Sequence, residues 1–248
     1  MKLDKNVRSV FSLFLFCLIL HTSWSQEKNQ YKDQYLSKSF ETFQNSDFEM
    51  AYHILPFLKK RFEEELRNES SFTNPFDSLS QRIGIMVSSD SLLKTYCWSE
   101  RNGGCCHTSA TYAQYKTQEG KIQFIDLEDT QLGDEEVFII ALHTIIINGS
   151  THYLILAGGT CCGGKYYQTA RIFKSVDNSF TLLQPAFGDT NQLRVGANRS
   201  QEIKLKYSEE KNTLSYLEYK YNPEVGFYAE NPEEKIWKLT KSGFKIEH

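Results

Sequence analysis

The residues best suited to chemistry are two pairs of adjacent cysteines, each set among glycines. Cys105 and Cys106 lie in the segment NGGCCHTS, residues 102–109, and Cys161 and Cys162 lie in GGTCCGGK, residues 158–165. Thiols in such pairs can form disulfides, act as a redox couple or bind a metal ion. The compartment of the protein and the strands that hold the two pairs decide between these roles.

The first 25 residues are typical of a secretory signal peptide. Lys2, Lys5 and Arg8 form a basic start, an apolar run follows over residues 10–20, and Ser23-Trp24-Ser25 supplies small residues at the cleavage positions. We therefore expect cleavage after Ser25 and export to the periplasm or out of the cell, where disulfides form and persist. The remaining apolar run, residues 137–147, is too short to cross a bilayer, so we expect no membrane span after cleavage.

Two disulfides between the pairs are the arrangement that the geometry of a sheet favours. Adjacent Cα atoms lie about 3.8 Å apart, which is closer than a relaxed disulfide prefers. Neighbouring side chains on a strand point to opposite faces. If the two segments are neighbouring strands, Cys105 and Cys106 can each meet one cysteine of the other pair, one bridge on each face. Cys97 is then the odd thiol of the exported chain.

Metal binding and thiol redox chemistry stay open as alternatives. A metal site would use Cys105, Cys106, His107, Cys161 and Cys162, and His143 or His152 could add a ligand. Structural zinc usually takes cysteines two to four residues apart, because adjacent ones turn poorly toward one ion. A redox site of the common C-x-x-C kind is absent from the sequence, but a strained vicinal disulfide at a functional loop is a further possibility.

No motif of a known catalytic class is present. The chain lacks G-x-S-x-G, H-E-x-x-H and a P-loop, so we predict no cofactor and a non-enzymatic protein. A hydrolase with dispersed acidic residues is the remaining enzymatic possibility. The formal net charge is −3 and there is no basic run, which gives no electrostatic basis for binding nucleic acid.

The elements that must position the cysteines change in type along the chain. Residues 26–78 are predicted to be helical, with an apolar stripe from Phe48 through Tyr52 to Leu66, a cap at Asp47 and an interruption at Pro56. Residues 79–248 alternate with period two in about ten to twelve short runs, divided by turn signals such as Asn148-Gly149. These runs predict a mainly β fold, an antiparallel meander that is sandwich-, barrel- or propeller-like.

Four tyrosines, Tyr166, Tyr167, Tyr219 and Tyr221, are candidates for a face that binds carbohydrate or peptide. Aromatic residues also favour half-buried positions in sheets. Packing within the sheet is therefore the simpler interpretation of all four.

Residues 72 to 248 also carry motifs found in one group of proteins. These are NPFDSLSQRIGI, KTYCWSERNGG, THYLILAGG and the closing KIWKLTKSGFKI. With them the chain resembles secreted β-rich proteins of Bacteroidetes-type bacteria, a group with no established activity. The resemblance implies an envelope location and a β-meander. The glycine loops of that group generally lack cysteine pairs, which implies that the pairs here are an added staple and not a shared active site.

Taken together, the sequence predicts an exported binding or structural module with disulfide-stapled loops. Its partner would be a ligand in the cell envelope or outside the cell. A periplasmic metal-binding or thiol-redox protein that uses the two cysteine pairs is the alternative.

Overall fold

The computed structural model describes residues 28–101, 109–127, 138–161, 163–176 and 178–247, with the backbone alone at Cys161. The fold is mainly β, with antiparallel sheets preceded by a helical segment, and this confirms the predicted fold class. The predicted signal peptide, residues 1–25, lies outside the described residues.

The helical segment consists of α1 (28–45), α2 (Phe48–Leu66) and the short α3 (Glu69–Thr73). Asp47 caps α2 as predicted, because its carboxylate accepts a hydrogen bond from the backbone N–H of Met50 at 2.8 Å. The predicted stripe is wrong in the first turns, where the side chains of Phe48 and Tyr52 are 60% and 62% exposed. The buried face is formed instead by Ala51, Leu55, Leu58, Phe62 and Leu66.

Pro56 does not split α2, which runs unbroken through it. Both Pro56 and Tyr52, the residue four positions earlier, are exposed. Water can therefore solvate the Tyr52 carbonyl that loses its helical hydrogen bond.

Sheet 1 contains β1 (Gly84–Val87), β2 (Leu93–Ser99), β3 (Ser109–Lys116) and β4 (Ile122–Asp126) in sequential antiparallel order. Its central strands are buried on both faces. One face packs Tyr96, Trp98 and Tyr112 against α1 and α2. Phe62 of α2 makes edge contacts with the Tyr96 and Trp98 rings at centroid distances of 5.3 and 5.2 Å.

Sheet 2 contains the longest strands, β5 (Phe138–Ile147), β6 (Ser150–Cys161) and β7 (Lys165–Val176). The shorter β8 (Ser179–Leu182) and β9 (Gln192–Asn198) both pair with β7, at different parts of its length. The turn predicted at Asn148-Gly149 joins β5 to β6, with φ of 49° and 76° at these two residues. Positive φ at both positions is the geometry that makes Asn-Gly a favourable hairpin turn.

Sheet 3 contains β10 (Lys206–Ser208), β11 (Thr213–Glu218), β14 (Glu233–Thr240) and β15 (Gly243–Ile246). A two-stranded ribbon, β12 (Tyr221–Asn222) and β13 (Phe227–Tyr228), lies between β11 and β14 in the chain. The three sheets stack face to face. Sheets 1 and 2 share one apolar cluster, which includes Ala113 and Phe173, and sheets 2 and 3 share a second, which includes Ile172 and Leu214.

The turns and loops that connect the antiparallel strands lie at two ends of this stack. β3 runs from Ser109 to Lys116 and β7 runs from Lys165 to Val176. We call the end that holds Ser109, Cys161 and Lys165 the cysteine end. The end that holds Lys116, Ser150 and Val176 is the lysine end.

Candidate functional site

The two hairpins that carry the cysteine pairs have their connecting loops at the same end of the molecule. Ser99 and Ser109 are the last paired residues of β2 and β3, and Cys161 pairs with Lys165 where β6 and β7 meet. Gly163 and Gly164 both have a φ of 73°, as expected for the glycines of a tight connection. Cys105, Cys106, His107, Cys162 and the side chain of Cys161 lie outside the described residues, so their pairing stays a prediction.

A cavity of about 780 Å³ lies between these two hairpin ends. It takes residues from sheet 1, from three strands of sheet 2 and from the segment after β9. We call it the glycine cavity. Its lining residues are Ser99, Ser109, Phe138, Ile140, Gly158, Gly159, Thr160, Tyr166, Tyr167, Gln168, Arg199 and Gln201.

The wall of the glycine cavity depends on the absence of a side chain at Gly158. A Cβ atom placed there would lie 3.1 Å from the Ile140 Cδ1 atom and 3.3 Å from the Tyr167 carbonyl oxygen. Both distances are tighter than ordinary van der Waals contact. Glycine therefore lets Ile140 close over β6 at this point.

Two polar side chains of the cavity are held by the backbone of the segment after β9. The Tyr166 hydroxyl donates to the Gln201 carbonyl at 2.6 Å and accepts from the Ile203 N–H at 2.9 Å. Gln168 accepts from the Leu205 N–H at 3.0 Å. These contacts hold one wall of the cavity in place before any ligand binds.

Ser109 is the exception among the polar residues of the wall. Its side chain is 1% exposed, and its Oγ atom has no hydrogen-bond partner in the structure. Strand alternation places it on the same face of β3 as Ala113, the face that packs toward sheet 2. A buried hydroxyl without a partner is unfavourable, and a ligand in the cavity could supply the missing hydrogen bond.

The four candidate tyrosines divide into two groups. Tyr166 and Tyr167 line the glycine cavity. The Arg194 guanidinium, which is not part of the lining, lies 4.0 Å from the Tyr167 ring centroid. Tyr219 and Tyr221 line a different depression, beside the β12–β13 ribbon. Only the first pair can therefore contribute to a site near the cysteine hairpins.

The other residues considered for metal binding do not gather at the cysteine end. His152 is near the start of β6 and Cys161 is its last residue, a separation of about 30 Å along the strand. The His143 Nδ1 atom lies 3.2 Å from a carboxylate oxygen of Glu209. Cys97, the predicted odd thiol, is buried between sheets 1 and 2 two residues before the end of β2, with its Sγ atom 4.0 Å from the Thr111 hydroxyl.

His152 is thus excluded as an additional ligand at that end. Among the described residues, no three His, Cys, Asp or Glu side chains are grouped as a metal site would require.

The structure also contains a second cavity, which the sequence did not predict. It measures about 1170 Å³ and lies at the lysine end, among turns of all three sheets. Its residues come from distant parts of the chain, so no local motif marks them.

Comparison with protein family models, curated proteins and solved structures finds no match. None of the helices in the described ranges combines the length and apolarity needed to cross a membrane.

Proposed function

We propose that the protein is an exported, non-enzymatic binding protein that takes an apolar or aromatic ligand group into the glycine cavity. The observation that carries this proposal is the position of the cavity, between the ends of the two hairpins that bear the cysteine pairs. A pocket of this size, apolar with a few placed polar groups, is typical of a small-molecule site.

The lining supports a ligand that is mainly apolar. Phe138 and Ile140 are 40% and 47% exposed, which is unusual for large apolar side chains that meet at one cavity. Tyr166 and Tyr167 add aromatic surface. Ser109 gives the ligand one buried hydrogen-bonding group, so the site would favour an apolar group with one polar atom.

Disulfides between Cys105 or Cys106 and Cys161 or Cys162 would hold the rim of this cavity. The closing pairs of both hairpins lie beside it, which supports a link between the loops that follow them. The closeness of the two hairpin ends is equally compatible with the alternative. That alternative is a metal-binding or thiol-redox site built from Cys105, Cys106, His107, Cys161 and Cys162.

A thiol count separates these two possibilities. Protein purified from an oxidising compartment would be analysed by intact-mass spectrometry before and after reduction, followed by peptide mapping. Two bridges between the pairs support the stapled binding protein. Cysteines that stay reduced and copurify with a metal ion overturn the staples and favour the alternative.

Binding to the cavity can be tested with the neutral fluorescent probe N-phenyl-1-naphthylamine. We expect Phe138→Ala to weaken its binding about tenfold, because part of the apolar wall is lost. Phe227→Ala is the matched control, since Phe227 is 53% exposed on β13 and does not line the cavity. Equal binding by both variants, or no binding by the unmodified protein, would contradict the proposed site.

A further inference from the structure

The cavity at the lysine end is built from turns of all three sheets. The turn after β3, the β5–β6 turn, the end of β7 and the β14–β15 turn all contribute to its wall. Leu92, Ile147 and Pro185 supply apolar surface between these turns. Its volume of about 1170 Å³ is large enough for an organic molecule of substantial size.

Three lysines, one from each sheet region, line this cavity. Lys116 ends β3 of sheet 1, Lys174 is near the end of β7 in sheet 2, and Lys241 lies in the β14–β15 turn of sheet 3. The Lys116 side chain lies over its own turn, because its Cε atom is 3.8 Å from the position that a Cβ of Gly120 would take. Lysines in the rest of the described structure are often paired, such as Lys59 with Glu100 at 2.7 Å.

No carboxylate in the described residues forms an ion pair with any of these three lysines. Glu119 is the acidic residue on the described wall, and it pairs with Lys121 at 2.9 Å. The positive charge is therefore concentrated in a concave site of a chain whose formal net charge is −3. A concave surface with charge of one sign attracts ligands of the opposite sign more strongly than a flat one.

Two polar groups on the wall are uncharged. The Ser175 Oγ atom is buried and has no hydrogen-bond partner among the described residues. The His152 Nδ1 atom lies 3.0 Å from the Ser150 carbonyl oxygen, which can only accept, so Nδ1 carries the hydrogen. Burial lowers the pKa of His152, and the nearby positive charge of Lys174 lowers it further. The charge in the cavity thus comes from the lysines.

We propose that this cavity binds an organic anion with two or more phosphate or carboxylate groups. Lys116, Lys174 and Lys241 would pair with the charged groups, the apolar wall would contact the body of the ligand, and Ser175 would donate a hydrogen bond. The site is separate from the glycine cavity and does not depend on the ligand proposed there.

Isothermal titration calorimetry with two linear anions tests the proposal and distinguishes a phosphate ligand from a carboxylate ligand. The probes are inorganic tripolyphosphate and trigalacturonate, a chain with three carboxylates. We expect at least one to bind, and the binding to weaken from low to physiological ionic strength, because the attraction is electrostatic. The probe that binds more tightly identifies phosphate or carboxylate as the preferred group.

Two triple variants localise the binding. Lys116→Gln with Lys174→Gln and Lys241→Gln should raise the dissociation constant by at least about tenfold. Lys60→Gln with Lys206→Gln and Lys245→Gln changes the net charge equally, at exposed lysines outside the cavity, and should leave the constant unchanged. An equal loss of affinity in the two triple variants, or no binding of either probe to the unmodified protein, would overturn the proposal.

Discussion

The cysteine end and the lysine end lie at opposite ends of the same strands, yet their cavities differ in polarity. One is mainly apolar and the other is lined by positively charged residues. At the cysteine end, Phe138, Ile140 and two tyrosines surround a glycine-lined wall. At the lysine end, three lysines and a buried histidine surround a wider cavity. The difference lies in the last residues of each strand and in the turns, because the apolar clusters between the sheets continue from one end to the other.

A stack of antiparallel sheets can thus present two separate cavities, one at each end. The two cavities share no lining residue among those described. Substitutions at distant sites usually have additive effects on stability. We therefore expect a change at one end to leave binding at the other end unaltered.

The largest expected effect is that of reduction at the cysteine end. If the two hairpins are cross-linked, the first bridge closes a loop of roughly 55 residues and stabilises the fold by about 4 kcal/mol. The second bridge adds less, because its cysteines are already held close by the first. A reductant should then lower the urea midpoint of unfolding strongly. A variant with Cys105, Cys106, Cys161 and Cys162 all changed to Ser should unfold at the same midpoint with and without reductant.

Anion binding at the lysine end is the internal control for this experiment. It should persist in the reduced protein under conditions where the fold is retained. A protein whose urea midpoint does not respond to reductant would show that the hairpins are not stapled.

The next effect concerns Lys94, a lysine near the lysine end that serves the fold. Its side chain is 2% exposed, donates to the Asn74 carbonyl and lies 4.6 Å from the Phe76 ring centroid. Burial lowers its pKa from 10.5 to about 8, and the charge of Asp33 opposes this shift. Lys94 is thus buried, whereas Lys116, Lys174 and Lys241 line the cavity.

Because the pKa of Lys94 is lower in the folded state, the unfolded state binds more protons between pH 8 and 10.5. The free energy of unfolding should therefore gain a contribution of about 3 kcal/mol as the pH rises across that window. Lys94→Met should remove this contribution, which is measured as the difference between variant and unmodified protein in urea titrations at several pH values. Parallel pH profiles for the two proteins would contradict the assignment.

The parts of this fold that follow from local pattern were predictable, and those that depend on stacking were not. The alternating run SATYAQYK forms β3, and the Asn148-Gly149 signal forms the predicted turn. Phe48 and Tyr52 fit an apolar period in α2, but Ala51 of the same turn is buried while both aromatics are exposed, so the buried face is rotated away from them. A short helix allows more than one apolar stripe, and periodicity alone does not show which one packs against the neighbouring layer.

The candidate sites divide in the same way. Glycines beside the cysteine pairs marked the cysteine end, since close packing and positive φ both require that residue. Lys116, Lys174 and Lys241 are separated by more than fifty residues each and belong to three sheets. Only the tertiary stacking brings them to one cavity, so no spacing in the sequence could indicate them.

The smallest effect concerns two buried serine hydroxyls, one at each end, that have no hydrogen-bond partner in the described part of the chain. Ser109→Ala and Ser175→Ala should each stabilise the ligand-free protein by about 1 kcal/mol, because each removes an unsatisfied polar group. Ser88→Ala is the control. Its Oγ atom donates to Asp90 at 2.6 Å and accepts from the Leu93 N–H at 2.9 Å, so its loss should destabilise the fold.

Binding by the same two variants then assigns each hydroxyl to its own ligand. Ser109→Ala should weaken binding of the neutral probe several-fold and leave binding of the anion unchanged. Ser175→Ala should weaken binding of the anion and leave binding of the neutral probe unchanged. Stabilisation without any loss of binding would mean that the hydroxyl does not contact the ligand. Loss of both ligands in one variant would show that the two ends are coupled through sheet 2, whose strands β6 and β7 reach both cavities.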